Sequence, residues 1–287
     1  MKRRYFLGAA LSTTILPSIG FASNTPIQLK AERVKAQIAP VWDTLSDMFG
    51  FNGSMPGPEI RARQGQRLMI NFENALNQSS SIHWHGLRIE NAMDGVPNLT
   101  QELVKSGDNF EYAFTPPDAG TFWYHSHHIS HEQVAKGMMG PLIVDELTPP
   151  DVDHDITVII ADWVFNNDGT LNNDFGDMHS MGHGGRMGNY ARAFMSKDTV
   201  QKGDRLRLRL INTATDRIFP IGFLGATGKI VALDGMPLNE PRVFESVELA
   251  PAQRADLIVD VTENIEIGML TRHATFPLGQ LSVVGAN

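Results

Sequence analysis

Short runs in which apolar or β-branched residues alternate with polar ones recur along the chain: Arg67 to Phe72, Asn109 to Phe114, Gly140 to Val144, Ile156 to Ile160, Arg205 to Ile211 and Asp256 to Val261. Gly, Pro, Asn and Asp fall between them, the residues that turn a chain most readily. A two-residue period sends successive side chains to opposite faces, so each run predicts a strand. Their number and spacing predict an all-β sandwich or barrel and disfavour a parallel α/β sheet. Helical periodicity is scarce, and the best stretch predicts one short turn of helix around His131 to Lys136. From Arg205 to Leu210 arginine alternates with leucine, which predicts a half-buried strand with one charged, solvated face.

The chain also resembles itself. Slid by 138 positions, Gln64-Gly65-Gln66-Arg67-Leu68 falls on Lys202-Gly203-Asp204-Arg205-Leu206, and Asn74 falls on Asn212. Such self-similarity predicts a repeated unit of structure. The same offset puts His83, Trp84 and His85 on Ile221, Gly222 and Phe223, so the second copy is apolar where the first carries imidazoles. With 287 residues, more than the ~100–150 of one usual domain, two domains are expected, and Thr148-Pro149-Pro150-Asp151 reads as the joint between them. This gives a leader over residues 1–22, a first domain over 23–148 and a second over 149–287.

The leader begins Lys2-Arg3-Arg4-Tyr5-Phe6-Leu7, continues apolar to Ile19 and ends in small residues, which is the form of an export signal. The twin arginine points to the route that carries folded proteins to the periplasm, and an ordinary secretory signal is the plainer alternative. Its apolar stretch is shorter than the ~20 residues that span a bilayer, so no lasting membrane anchor is expected. The formal net charge of −8 makes nucleic acid a poor partner. There is no cysteine, so a metal held by this chain must be held by His, Met, Asp or Glu.

That restriction directs attention to His83-Trp84-His85-Gly86 and His125-Ser126-His127. In a strand, residues i and i+2 share a face and leave the backbone roughly 6.6 Å apart, too far to chelate one ion comfortably at metal–nitrogen bonds of about 2.1 Å. Each pair therefore reads as straddling two neighbouring ions, and two facing pairs as lining a multinuclear site.

With their flanks these pairs resemble the multicopper oxidases, the laccase-like copper enzymes built of cupredoxin domains. The resemblance is carried by His83 to Gly86, Asp94-Gly95-Val96-Pro97, Thr100-Gln101, Gly120 through His127 and the Gly140-Pro141-Leu142-Ile143-Val144 run. Leu233-Asp234-Gly235 and Leu249-Ala250-Pro251-Ala252-Gln253-Arg254 match the family's copper-free second domain. The resemblance implies two cupredoxin-like Greek-key β-sandwich domains in tandem. It implies His83 as a ligand of the type 2 copper, and His85, His125 and His127 as ligands of the type 3 pair. Asp94 matches an acidic residue that helps deliver protons; a turn residue before Gly95 is the equally open alternative. The implied activity couples oxidation of a reducing substrate to reduction of dioxygen to water. In the family a third domain brings the remaining cluster ligands and the cysteine-ligated type 1 copper. The sequence stops at Asn287, where that domain is expected to begin. These 287 residues alone are therefore expected to turn over little, with copper storage or a split oxidase as the other readings.

Other histidines stand apart. His128 and His131 read as supporting or structural groups rather than ligands. His154, His179, His183 and His273 form no His-x-His pair. The segment Met178-His179-Ser180-Met181-Gly182-His183-Gly184-Gly185-Arg186-Met187 reads either as an accessory copper-handling loop or as a flexible glycine-rich one.

Overall fold

Alternating burial along each strand is what builds the layers. In Leu68–Asn74 the residues Leu68, Ile70, Phe72 and Asn74 are buried while those between are half-exposed, as a two-residue period requires. The structure, a computed structural model, describes residues 18–19, 25–175 and 186–285. Most of the leader and residues 178–185 of the Met–His segment lie outside the described residues. No helix among the described residues is long and apolar enough to cross a membrane.

Strands make up nearly all of the regular elements in the described chain. Each of the six stretches expected to be strands is one, from Leu68–Asn74 and Asn109–Phe114 in the first half to Arg205–Asn212 and Arg254–Leu270 in the second. The helix is a single turn, Ser130–Gln133. In the first half a four-stranded sheet runs in the order Ser46–Phe51, Ile27–Ala36, Leu68–Asn74, Asn109–Phe114. A five-stranded sheet runs Ser18–Ile19, Glu59–Arg63, Met139–Asp145, Gly120–Ser126, Ile82–His85. Their inner faces share one core: Leu29, Phe51, Ile70, Phe72, Tyr112 and Phe114 from one sheet meet Ile60, Ile82, Trp84, Phe122, Tyr124 and Leu142 from the other. Trp84 is fully buried there, its ring 5.2 Å from Tyr112 and 5.1 Å from Phe114.

In the second half the hydrogen bonding is continuous. Nine strands form one sheet, whose main path is Tyr190–Met195, His154–Trp163, Arg205–Asn212, Arg254–Leu270, Phe219–Leu233, Met236–Val243. The two longest strands carry register shifts at Leu224/Ala226, Ile230/Ala232 and Ile267/Gly268. An extra residue of this kind lets a strand bend, and a single sheet encloses the core of Leu206, Leu208, Leu210, Leu257, Val259 and Ile267. A third apolar cluster joins the halves, with Trp123, Val134 and Met139 against Ile159, Trp163 and Phe194.

The arginine stripe departs from expectation. Arg205 is exposed and pairs with Asp260, but Arg207 and Arg209 are 5% and 0% exposed. Their face of the strand looks toward the first half. Arg209 reaches Asp155 at 2.6 and 2.8 Å, Thr121 Oγ1 at 3.0 Å and Asp256 at 3.4 Å. Arg207 pairs with Glu146 and Asp256, both at 2.6 Å. A polar face need not be a wet one when another layer brings complementary carboxylates to it.

Candidate metal centre

Strands Ile82–His85 and Gly120–Ser126 are antiparallel neighbours, with His83 opposite His125 and His85 opposite Trp123. The His127 N–H donates to the Ser81 carbonyl, which carries the same register one step further. Since alternate residues share a face, His83, His85, Trp123, His125 and His127 all emerge on one side of the sheet. The four imidazoles expected to act together are together. The His83 ring lies 5.3 Å from those of His125 and His127 and 5.7 Å from that of His85. Ligand atoms of His83, His85 and His125 fall within 4.8 Å of one another. Two nitrogens across one ion with about 2.1 Å bonds stand up to ~4.2 Å apart, so these three atoms are close enough that they could hold one ion, and His83 and His85 come nearer to each other than the straddling expectation for a His-x-His pair.

The second ring nitrogen of two histidines is already engaged. His83 Nδ1 is 2.8 Å from the Asp94 carbonyl and 3.3 Å from the Asp94 carboxylate. His125 Nδ1 is 2.8 Å from the Ser126 carbonyl. A carbonyl only accepts, so Nδ1 carries the proton in both, and the lone pair of Nε2 is left for a metal. The turn that delivers Asp94 is fixed by Gly95, whose φ is +76°; a side chain there would strike the backbone of Ile82 and His83. Asp94 is thus both a turn residue and a direct neighbour of the first histidine pair.

Burial favours the neutral form of His85, His125 and His127. His85 is pushed down to about 4, first by burial and then by the charges of Arg254, His83 and His127. His125 is held well below the usual histidine range by burial above all, and His127 is lowered for the same first reason.

Two residues at the site escaped the sequence reading as functional groups. Trp123 is 4% exposed, with its ring 4.3 Å from His125 and 5.2 Å from His85. Its position two residues before His125 was the available signal. Arg254 comes from the other half, where the sequence marks it only as the end of the Leu249 to Arg254 segment and gives no sign that it reaches the histidines. Of the histidines set aside earlier, His154 Nε2 lies 3.3 Å from Asp204, and His273 is exposed. His128 and His131 are half-buried beside the second pair, while His179 and His183 lie outside the described residues.

The comparisons with known proteins agree with this geometry. Two family models, each described as multicopper oxidase, match residues 33–148 and 154–268. The crystal structure of Lac15 from a marine microbial metagenome is 52% identical, with a TM-score of 0.84 over 92% of this chain and 68% of that one. A multi-copper oxidase from Pseudomonas Thermotolerans is 31% identical, with a TM-score of 0.83 over 94% of this chain and 65% of that one. Laccase-2 of Trametes versicolor is 30% identical over 91% of this chain and 51% of its own length. Against Laccase-1 of Cryptococcus neoformans the match spans 39% of the relative, so the chain covers about half or less of these curated relatives. Two matched segments in series, a solved relative at 52% identity and the facing histidine pairs lead to one conclusion: the chain belongs to the multicopper oxidase family.

Proposed function

We propose that His83, His85, His125 and His127 are copper ligands, His83 in the type 2 position and the other three in the type 3 positions, and that the whole protein is a copper-dependent oxidoreductase. The observation that carries this is the donor set: four imidazoles on one face of one strand pair, two of them with Nδ1 hydrogen-bonded to backbone carbonyls and Nε2 left unengaged by those bonds. Imidazole is a ligand that copper accepts readily. Bound copper would supply one-electron redox chemistry, with dioxygen as the acceptor and a reducing substrate as the donor. The chain's own part is to orient the rings and to keep His85, His125 and His127 neutral by burial. The Asp94 carboxylate, beside His83 Nδ1, is placed to hold a proton. Export to the periplasm through the Lys2-Arg3-Arg4 leader fits a protein that folds around its metal before transport.

Equilibrium dialysis against copper tests the reading directly. The 287-residue polypeptide is expected to retain copper, and a His83→Ala, His125→Ala double variant to lose most of it. Equal retention by a folded double variant would remove the basis for placing copper at these histidines.

A further inference from the structure

A single side chain from the other half of the molecule packs against the turn after the first histidine pair and is hydrogen-bonded to the strand that carries the second. Arg254 opens strand Arg254–Leu270 and is 4% exposed. Its Nε donates to the Thr121 carbonyl at 3.1 Å, within the strand that carries His125. Nη1 donates to Asp234 Oδ1 at 2.9 Å and to the Ala252 carbonyl at 3.1 Å, and Nη2 donates to the Asp234 carbonyl at 3.0 Å. The guanidinium carbon lies 6.0 Å from the centre of the Phe122 ring.

Gly86, the residue after His85, closes on the same group. Its φ is +87°, and a side chain there would collide with Nη2 of Arg254 and press on Phe122. The guanidinium therefore sits between Gly86, which fixes where His85 leaves the backbone, and Thr121, four residues before His125 on its strand. A planar fork with several N–H groups in set directions can fix backbone at this spacing; an ammonium of the same charge cannot.

We propose that Arg254 is a positioning residue for the histidine cluster, holding the turn after His85 against the strand of His125 so that the two histidine pairs keep their mutual spacing. The proposal rests on the reading of those histidines as copper ligands. It also gives the half without a histidine pair a part in the metal centre.

The test uses the full 287-residue polypeptide, with Cu(II) as the probe and affinity read by competition titration. Arg254→Lys keeps the charge and removes the fork. We expect its Cu(II) affinity to fall about tenfold, as when a group that orients a metal ligand is lost, and the Cu(II) hyperfine pattern in electron paramagnetic resonance to change. Gly86→Ala presses on the same contact from the other side and is expected to weaken binding in the same direction. Its backbone strain is common to both backgrounds, so the combined loss should be smaller than the product of the single losses. Unchanged affinity and spectrum in folded Arg254→Lys overturns the proposal, as do single losses that simply multiply. If Arg254→Lys does not fold, Gly86→Ala decides by the same two readouts. Copper retention that ignores the His83→Ala, His125→Ala double variant means that the copper reading has failed instead. The His85 imidazole resonances of the copper-free protein then decide: a shift in Arg254→Lys supports positioning, and unmoved resonances overturn it.

Discussion

At His85 burial and charge act in the same direction. The ring is half-buried, and Arg254, His83 and His127 all oppose a positive charge on it, so the folded protein protonates it only near pH 4. An unfolded chain protonates the same ring near 6.5. Between those values the unfolded state binds more protons than the folded one, so stability is lost as pH falls from 6.5 toward 4. For His85 alone the loss in the copper-free protein is about 2 kcal/mol between pH 7 and pH 4.5. His125 and His127, also lowered, act with the same sign. Urea unfolding of chelator-treated protein at the two pH values should show this loss, and His85→Gln should reduce it. A His85→Gln protein as acid-sensitive as the parent would show that the ring is not held neutral by its surroundings. Asp94, whose sequence context left a turn and a proton-handling role open, sits in the turn, and that position does not exclude the other role. Its backbone closes the turn and binds His83 Nδ1, while its carboxylate stands 3.3 Å from the same atom.

Strand by strand, most of the fold was legible because burial imposes a two-residue period and turns need particular residues. The histidine face was legible for the same reason, since His-x-His places both rings on one side and a second pair can face the first. The internal repeat reaches further than its pattern of apolar residues. Asn74 is fully buried; its Nδ2 donates to the Gln78 and Val104 carbonyls, both at 2.9 Å, and its Oδ1 accepts from Leu76 N–H at 3.2 Å. Asn212, also fully buried, donates to the Arg217 and Leu249 carbonyls at 2.8 and 2.9 Å and accepts from Ala214 N–H at 2.9 Å. One side chain thus satisfies three backbone groups where each strand ends. Replacing Asn74 or Asn212 by Ala leaves those groups buried without partners and is expected to cost about 3 kcal/mol in each half. Urea unfolding at pH 7 checks it, and a loss below about 1 kcal/mol would mean that water or a local shift takes over the bonds. The arginine stripe was not legible. Alternation alone cannot tell a face that meets water from one that meets another layer, and the partners Asp155, Glu146 and Thr121 are far from Arg207 and Arg209 in the chain or belong to the other half.

Across the whole molecule that stripe becomes the polar centre of the joint between the halves. Thr121, fully buried on the histidine strand, is its meeting point. Its hydroxyl donates to Asp256 at 2.5 Å and accepts from Arg209 at 3.0 Å, and its carbonyl accepts from Arg254 at 3.1 Å. Arg61 of the first half extends the network, reaching Asp145 at 2.6 Å and Asp155 at 3.2 Å. Burial works against these charges, and only complete pairing offsets it. Asp155 stays ionised, below the usual carboxylate range, because the hydrogen bond and charge of Arg209 and the charge of Arg61 outweigh its burial. Removing Arg209 therefore does more than delete one ion pair. It leaves Asp256, 1% exposed at its side chain, with Arg207 as its remaining salt-bridge partner, and frees one face of Asp155. Arg209→Ala is expected to destabilise the protein by about 3–5 kcal/mol and to loosen the joint before either core melts. Limited proteolysis should then cut first between residues 146 and 153, where the chain passes from one half to the other. Arg209→Met fills the space but takes the same cation from Asp155 and Asp256, leaving them with Arg61 and Arg207, and it should behave like Arg209→Ala if charge is what matters. A Met variant as stable and as resistant to protease as the parent would show that packing, not pairing, joins the halves. The metal centre would then depend on the second half through Arg254 and the apolar contacts around Trp123 rather than through the Arg209 ion pairs.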